Sequence, residues 1–422
     1  MNPAELNTKS RTELVELCRE RGLRGYSGKT KGELVAMLTA AVVAVAAVAA
    51  VATPTPAPNV IEHVGGALGP VAPKEVGRAL GSPGPKAKAA VLSLFSGMAG
   101  MDVGFAEQVV VRPESVDPAF IEGPALVAGF VNLRRLPFET VFQNDILPEA
   151  KQIAEWNGWA HGYVLQDIRE LLAAGHAFPH ADVVTGGFPC QNFSHAGKRE
   201  GFDTDRGTLY QSYVEVVRRV SPIVFVAENV HGLLTMPGAL DRIKTDFAAV
   251  GYTVEHQLIK CEEVGIPQTR WRVIILGLRL DKRGKVGDGW NLITDNRRSC
   301  TIRPVFAHLA EPFETTDPAQ TVYSRAARLE RGQGQKAIDL DGYGPTMRAE
   351  HHGNIEFRRH GEGERRLTVR EAALLQTFPP LCVLTDAKKA TSKAYKPIGN
   401  AVPPLLGYLV GRKVAEILAL CA

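Results

Sequence analysis

Val91-Leu92-Ser93-Leu94-Phe95-Ser96-Gly97-Met98-Ala99-Gly100-Met101 runs from an apolar segment into a turn of small residues. The apolar residues predict a buried strand, and the residues after Phe95 predict a tight turn into a helix. Glycine in such a turn lets the backbone approach a ligand closely, and the helix presents free N–H groups to it. Taken alone, however, the pattern is more often an ordinary tight connection than a site for a nucleotide-like cofactor.

Similar apolar runs follow along the chain. Ala181–Gly187, Ile223–Ala227 and Val273–Gly277 predict strands, whereas Leu209–Val220 and Ala239–Val250 predict helices. Strands that alternate with helices are typical of an α/β, doubly wound, mostly parallel sheet with both faces covered. Because ligands of such sheets bind beyond the carboxyl ends of the strands, we expect functional residues in the turns after them.

Two acids stand at such positions. Asp145 ends the predicted strand Val141–Asp145, where a carboxylate can take two ribose hydroxyls. Asp167, followed by Ile168, stands in a third turn, where it could hold the edge of an adenine. Each acid is also a good helix N-cap, and that interpretation stays open.

A cysteine lies in the turn after another predicted strand, within Gly186-Gly187-Phe188-Pro189-Cys190-Gln191-Asn192-Phe193-Ser194. Most cysteines are small buried hydrophobic residues. This one has polar neighbours beyond a strand end, a position that suits a reactive thiolate able to attack unsaturated carbon.

Polar groups that could assist this thiolate lie near two other predicted strands. Glu228-Asn229 follows a strand, and Gln268-Thr269-Arg270-Trp271-Arg272 precedes one. Individually, Glu228 is typical of a cap or salt bridge and Arg272 of a surface charge. Their occurrence at successive strand ends, beside a cofactor-like turn, favours one shared site.

In this order the motifs resemble those of the DNA (cytosine-5) methyltransferase family, from about Val91 to the C-terminus. The motifs are Ser93–Gly100, Pro189-Cys190-Gln191, Glu228-Asn229-Val230, Gln268–Arg272, Arg370-Glu371 with Leu375–Pro379, and Ile398–Pro404. The resemblance implies methyl transfer from S-adenosylmethionine to C5 of a cytosine flipped out of a specific duplex DNA sequence.

The resemblance also implies residue roles. Cys190 would bond to C6 of the cytosine, Glu228 would hold N3 and the amino group, and Arg272 would contact the base carbonyl. The catalytic set would be Cys190, Glu228, Arg270 and Arg272. The cofactor-binding set would be Phe95, Ser96, Gly97, Met98, Gly100, Asp145, Asp167, Ile168, Pro189, Asn400 and Ala401. The substrate-binding set would be Gln191, Ser194, Asn229 and Gln268.

The chain departs from the family pattern in three places. Ser93 stands where the family usually has Asp, and Ala99-Gly100 replaces two adjacent glycines. Because alanine is small, we expect cofactor binding to persist. An insertion around Val109–Glu139 has no assignment from sequence.

The motifs divide the chain into five parts. Residues 89–279 would be the catalytic and cofactor-binding domain, 280–380 a smaller irregular target-recognition domain, and 381–422 a segment returning to the catalytic domain. Residues 41–88 are rich in Ala, Pro and Gly and predict a linker. Residues 1–40 resemble a SAP-type helical DNA-binding hairpin, with a solvated helical hairpin as the alternative.

Bulk properties exclude few classes of protein. The chain has 422 residues and a net charge of +4, which suits a nucleic-acid partner without requiring one. Its 6 scattered cysteines suggest reduced thiols and no zinc or other metal site. The apolar run Ala40–Ala52 is shorter than the ~20 residues of a membrane span, and no signal peptide is evident. We therefore expect a monomer in the prokaryotic cytoplasm, associated with the nucleoid, with a cognate restriction endonuclease as a candidate partner.

Three rival functions remain. A tRNA methyltransferase of the same fold typically carries a Cys-Phe-Thr tripeptide, which this chain lacks. A catalytically inactive DNA-binding regulator would not need Cys190, Glu228 and Arg272. A cysteine hydrolase using His195 or His231 would need an orienting partner and an oxyanion hole, for which there is no pattern.

Overall fold

The computed structural model describes residues 10, 12–14, 30–32, 34, 88–189, 207–287, 296–328, 330–331, 334–349, 355–360, 363–386 and 391–422. The chain separates into two compact units, Met1–Ser82 and Pro83–Ala422. The predicted linker, apart from Lys88, lies outside the described residues, as do Cys190, Gln191 and Ser194.

Within the first unit, the described residues include the start of a helix. The Ser10 backbone N–H donates to Glu13 Oε2 at 2.8 Å, and the Glu13 N–H donates to Ser10 Oγ at 3.3 Å. These reciprocal bonds form a capping box, with Ser10 as the N-cap of the helix. Leu14 and Leu34 are both fully buried.

The second unit contains the following elements, in chain order. The strands are β1 Ala89–Leu94, β2 Val110–Val111, β3 Ile121–Pro124, β4 Val131–Leu133, β5 Phe138–Asp145, β6 Tyr163–Leu165, β7 Val183–Gly186, β8 Val224–Val230, β9 Tyr252–Lys260, β10 Gln268–Thr269, β11 Trp271–Arg279, β12 Gly344–Pro345, β13 Phe357–His360 and β14 Gly363–Arg366. The α-helices are α1 Gly100–Ala106, α2 Pro148–Trp156, α3 Ile168–Ala173, α4 Gly207–Val220, α5 Ala239–Ala249, α6 Arg283–Val286, α7 Ile302–Phe306, α8 Pro318–Thr321, α9 Val369–Leu375, α10 Thr391–Asn400 and α11 Pro404–Cys421.

Seven strands form the central sheet, in the order β6-β5-β1-β7-β8-β11-β9. Each predicted strand and helix is present, and the pairs from β6 to β8 are parallel. The sheet places the turns after β1, β5, β7 and β8 at one edge, as expected for an α/β fold of this class.

One strand departs from the parallel expectation. β11, predicted from Val273–Gly277, is antiparallel to both β8 and β9. Lys260, the last residue of β9, pairs with Trp271, the first of β11, and the segment between them is too short for the crossover that a parallel pair needs. The start of β11 therefore meets the end of β8.

The C-terminal helix α11 packs closely against α1. A Cβ atom added to Gly104 would lie 2.4 Å from the Tyr408 backbone N, and one added to Gly407 would lie 3.0 Å from Met101 O. Glycines on both helices thus let the two backbones approach each other. This contact brings the end of the chain back to the helix that follows the cofactor-like turn.

The insertion around Val109–Glu139 forms an antiparallel sheet of its own, in the order β2-β4-β3. It is tied to the chain beyond the central sheet, because Asn296 Nδ2 donates to Ser115 O at 3.1 Å and to Val264 O at 3.0 Å. The region from about 280 to 366 holds short helices, the small sheet β13-β14 and the strand β12, which pairs with β10 before β11.

Three general observations complete the description of the fold. No helix in the described ranges has the length and apolar character needed to cross a bilayer. The same part of the chain contains no cluster of histidine, cysteine or acidic side chains that could hold a metal ion. Cys261, Cys300, Cys382 and Cys421 are buried free thiols.

Candidate active site

A cavity of about 850 Å³ opens at the carboxyl edge of the sheet. It brings together most of the described residues that the sequence assigned to catalysis, cofactor binding or substrate binding. The predicted residues that line it are Phe95, Ser96, Gly97, Asp145, Asp167, Ile168, Pro189, Glu228, Asn229, Arg270, Arg272, Asn400 and Ala401.

The turn after β1 is held to the end of β5 by hydrogen bonds. Gly97 N–H donates to Asp145 Oδ2 at 2.8 Å, and Leu147 N–H donates to Asp145 Oδ1 at 2.8 Å. Phe95 and Gly97 both have positive φ, at 52° and 54°. Burial raises the pKa of Asp145, while the backbone hydrogen bonds from Gly97 and Leu147 oppose that rise.

Asp167 is both a helix cap and a cavity residue, so its two sequence interpretations are compatible. Its side chain accepts a hydrogen bond from Arg169 N–H at 2.8 Å and caps α3. The same carboxylate pairs with the Arg169 guanidinium at 2.7 Å, which lowers the pKa of Asp167. Ile168, the first residue of α3, adds a buried apolar surface next to it.

Glu228 and Arg272 form a nearly buried ion pair. Arg272 Nε lies 2.6 Å from Glu228 Oε1, and each side chain is only 11% exposed. Arg272 of β11 is in register with Val230 of β8, and Glu228 lies two residues before Val230, on the same face of that strand. The antiparallel pairing therefore makes Glu228 and Arg272 diagonal neighbours. A Cβ on Gly187 would lie 3.3 Å from Glu228 Oε2, so this glycine leaves space beside the carboxylate.

Asn229 holds the turn that leads to the predicted nucleophile. Its Nδ2 donates to Phe188 O at 3.1 Å, and its Oδ1 accepts from Val230 N–H at 2.9 Å. Pro189, which immediately precedes Cys190, lines the cavity. The contacts of Asn229 favour a positioning role over direct contact with DNA.

Arg270 joins three parts of the chain around the cavity. Its guanidinium donates to Met347 O at 2.9 Å, Gly399 O at 3.3 Å and Ala401 O at 3.0 Å. Burial lowers the pKa of this fully buried guanidinium. With these donors occupied by backbone carbonyls, Arg270 is suited to position the cavity wall that includes Asn400 and Ala401, and we do not assign it a role in the chemical step.

Among the predicted site residues that the structure describes, three do not line the cavity. Met98 is fully buried in the core, and a Cβ on Gly100 would lie 2.1 Å from Val402 O, so both serve packing. Gln268 is fully buried: its Nε2 donates to Leu375 O at 3.0 Å and to Gln376 Oε1 at 2.9 Å, and its Oε1 accepts from Met347 N–H at 2.9 Å. Because these atoms are already used inside the protein, Gln268 braces the wall instead of contacting substrate.

Sequence reasoning missed several cavity residues. Lys396 and Arg169 are the cations among them, and Asn144 joins strand ends by donating to Val164 O and Gln166 O at 3.1 and 2.8 Å. Each adjoins a motif that was identified: Asn144 precedes Asp145, Arg169 follows Ile168, and Lys396 precedes Ile398–Pro404. Their proximity to these motifs along the chain is the only sequence feature that could have indicated a place in the cavity.

The chain is similar to known proteins over most of its length. The family described as C-5 cytosine-specific DNA methylase matches residues 89–311 and 293–416. Type II methyltransferase M.BsuRI of Bacillus subtilis is 32% identical over 357 residues, covering 77% of this chain and 79% of that protein. Type II methyltransferase M.BspRI of Lysinibacillus sphaericus is 32% identical over 355 residues, covering 78% and 82%. The chain belongs to the C-5 cytosine-specific DNA methylase family.

This DNA cytosine-5 methyltransferase also shares its fold with more distant enzymes. The structure of methyltransferase EhMeth of Entamoeba histolytica matches with a TM-score of 0.53 at 13% identity, covering 78% of this chain and 99% of that one. At that identity the likeness concerns the fold alone. The family match begins at residue 89, and the SAP-type interpretation of residues 1–40 stays a prediction.

Proposed function

We propose that the methyltransferase transfers a methyl group from S-adenosylmethionine to C5 of a flipped cytosine in duplex DNA, through a covalent bond between Cys190 and C6. The observation that carries this proposal is the single cavity that holds the Gly97–Asp145 turn, the Glu228–Arg272 pair and Pro189. Two halves of one reaction, a cofactor site and a base site, would thus share one space at the sheet edge.

The residues present suit S-adenosylmethionine. Gly97 has a φ of +54°, and a Cβ there would have no atom within 4 Å, so its missing side chain leaves the cavity open beside Asp145. The buried Asp145 carboxylate would receive ribose hydroxyls, while Asp167, Ile168 and Phe95 would enclose the adenine. When bound, S-adenosylmethionine supplies an electrophilic methyl group.

The protein side of the reaction begins with the thiolate of Cys190. Its sulfur would bond to C6, which makes C5 electron-rich enough to accept the methyl group. A base then removes the proton from C5, and the C6–S bond breaks to return the thiolate. Because the sulfur must reach the face of the ring, the cytosine has to leave the helix.

Glu228 and Arg272 would hold the flipped base. Glu228 would contact N3 and the amino group, where hydrogen bonding stabilises the charge that develops on the ring. Arg272 would contact the base carbonyl while keeping the carboxylate in place. Gln191 and Ser194 would contact DNA from the turn after Cys190.

Duplex DNA is the proposed substrate, and sequence recognition would reside between about 280 and 366, with Tyr343–Arg348 and Glu350–Asn354 as candidate readers of base edges. The Type II methyltransferase relatives favour a place in restriction-modification, with a cognate endonuclease as the proposed partner. We propose a cytoplasmic, nucleoid-associated monomer.

Covalent capture tests the proposal. Duplex DNA with 5-fluorocytosine in the methylated site should form an adduct with the wild-type protein and S-adenosylmethionine, and Cys190→Ala should form none. The site itself is found by bisulfite sequencing of a plasmid expressed with the protein. Full-rate methylation by Cys190→Ser, or methylation of tRNA in place of duplex DNA, would overturn the proposal.

A further inference from the structure

A buried carboxylate lies directly beneath the cofactor turn. Asp102 of α1 is 2% exposed, and its Oδ2 accepts a hydrogen bond from Ser93 Oγ at 3.0 Å. Its Oδ1 lies 3.4 Å from the donor Thr140 Oγ1 of β5. In the described part of the chain, no lysine or arginine forms an ion pair with it. Asp102 therefore ties one helix to two strands through neutral hydrogen-bond donors, among them the hydroxyls of Ser93 and Thr140.

From Asp102 a path of hydrogen bonds and covalent backbone links leads to the proposed cofactor site. Ser93 O accepts from Ser96 Oγ at 3.0 Å, and Ser96 N–H donates to Asn144 O at 3.0 Å. Asn144 is followed by Asp145, which accepts from Gly97 N–H at 2.8 Å. The position of the Ser93 strand end is thereby coupled to the carboxylate that would hold the ribose.

We propose that Asp102 is a positioning residue for the methyl-donor site, acting through Ser93 on the Phe95–Gly97 turn. This inference rests on the proposed function, because it assumes that S-adenosylmethionine binds beside Asp145. A functional role would explain why a buried acid occupies this position, where an apolar residue would avoid the free-energy cost of burying a carboxylate.

The electrostatics support a functional reason for the acid. Burial raises the pKa of Asp102 from 3.8 to about 6, against the hydrogen bonds from Ser93, Gln143, its own backbone N–H and Thr140. Gln143 of β5 and Tyr163 of β6 also face it, and Asp145 adds a second buried carboxylate nearby. Because the pKa is higher in the folded chain than in the unfolded one, burying this carboxyl lowers stability at neutral pH. This cost begins to fall as pH drops below about 6 and is gone only below the unfolded pKa of 3.8.

The test compares Asp102→Asn with Asp182→Asn in the full-length protein. Asp182 is a matched control, because its Oδ2 accepts from Ala90 N–H at 2.9 Å at the opposite end of β1. Binding of S-adenosylhomocysteine is measured by calorimetry, and thermal unfolding is measured without ligand. We expect Asp102→Asn to weaken binding about tenfold, as expected for the loss of one strong hydrogen bond, without lowering the melting temperature at pH 7.5. Asp182→Asn should leave binding unchanged.

Two further measurements separate positioning from a structural role. Ser93→Ala should weaken binding to a similar extent, and combining it with Asp102→Asn should add little, because both changes remove the same charge-assisted hydrogen bond, the first by deleting its donor and the second by neutralising its acceptor. The ratio of wild-type to Asp102→Asn affinity should approach 1 as pH falls below 6, because a protonated Asp102 is neutral like asparagine. Asp145 is present in both proteins, so its own titration does not change this ratio. Unchanged binding by Asp102→Asn, or additive effects with Ser93→Ala, would overturn the inference. No binding by the wild-type protein would instead contradict the proposed cofactor.

Discussion

Arg272 and Glu228 meet at 2.6 Å because two antiparallel strands present them to the same cavity. With both side chains 11% exposed, neither charge is well solvated, and each depends on the other. A second arginine of the same strand, Arg279, pairs with Asp281 at 2.7 Å near the surface, where Asp281 is 56% exposed. The two arginines thus offer a direct comparison of a buried and an exposed ion pair.

Replacing Arg272 by Gln should impair methylation far more than replacing Arg279 by Gln. We expect kcat/KM on duplex DNA to fall at least ~100-fold, since removing one partner of a buried pair costs roughly 3 kcal/mol or more. Arg279→Gln should remain within about threefold of the wild-type rate, because an exposed pair contributes about 0–1 kcal/mol. Similar rates for the two variants would show that Arg272 does not act at the base site.

The elements around the cavity are held together by close backbone contacts and by shared carbonyls. Gly104 lets α1 approach α11, and Gly100 lets the same helix approach Val402. Arg270 then binds the carbonyls of Met347, Gly399 and Ala401. The returning segment is thus anchored on both sides of Asn400.

Gly104→Ala should destabilise the protein, although alanine is the better helix former. Helix propensity would favour alanine by about 1 kcal/mol. The added Cβ, however, would lie 2.4 Å from Tyr408 N and 2.5 Å from Gly407 C, both backbone atoms that cannot rotate away. We expect a net loss of about 2 kcal/mol in the free energy of unfolding, measured by urea denaturation.

Gly123→Ala is the matched control for this prediction. A Cβ on Gly123, in β3, would meet no atom within 4 Å, and its φ is not positive. Its free energy of unfolding should change by less than about 0.5 kcal/mol. Equal stability of the two variants would mean that α1 and α11 are not in close contact.

At the scale of the whole chain, the methyltransferase combines a compact unit, Pro83–Ala422, with a separate unit that precedes it. Ser10 and Glu13 form a capping box in the first unit, and Lys31 is exposed there. If residues 1–40 bind DNA as a SAP-type hairpin, their lysines add phosphate contacts and keep the enzyme near its substrate.

Deleting residues 1–60 should weaken binding to duplex DNA and reduce its dependence on salt. Loss of two phosphate contacts, through Lys29 and Lys31, would lower the slope of log K against log salt by about 1.8. Fluorescence anisotropy at several salt concentrations measures this change, and Lys29→Gln/Lys31→Gln in the full chain separates the lysines from the rest of the unit. An unchanged slope would leave the solvated hairpin as the correct interpretation.

Much of the architecture was predictable because its signals are local. The buried part of a strand such as Val224–Val230 begins with the apolar run Val224–Ala227, and Gly97 marks a turn with positive φ, so both are encoded within a few positions. The family resemblance likewise depends on short motifs in a fixed order. The comparison with known proteins confirmed the family and the α/β fold, whereas the roles of single residues and the boundaries of the domains stay predictions.

Other properties arise only when distant segments meet. The reversed direction of β11 decides that Arg272 faces Glu228, and tertiary contacts decide that Gln268 and Gly100 serve packing. The order of the motifs did not predict that Lys396 lines the cavity or that Asp102 is hydrogen-bonded to Ser93. Sequence alone determined the elements, the chemistry of the motifs and the family, since those depend on neighbouring residues. Three properties depend on distances between residues far apart in the chain, which only the folded structure sets. They are the pairing of charges, the burial of Asp102, and whether a motif residue lines the cavity or braces its wall.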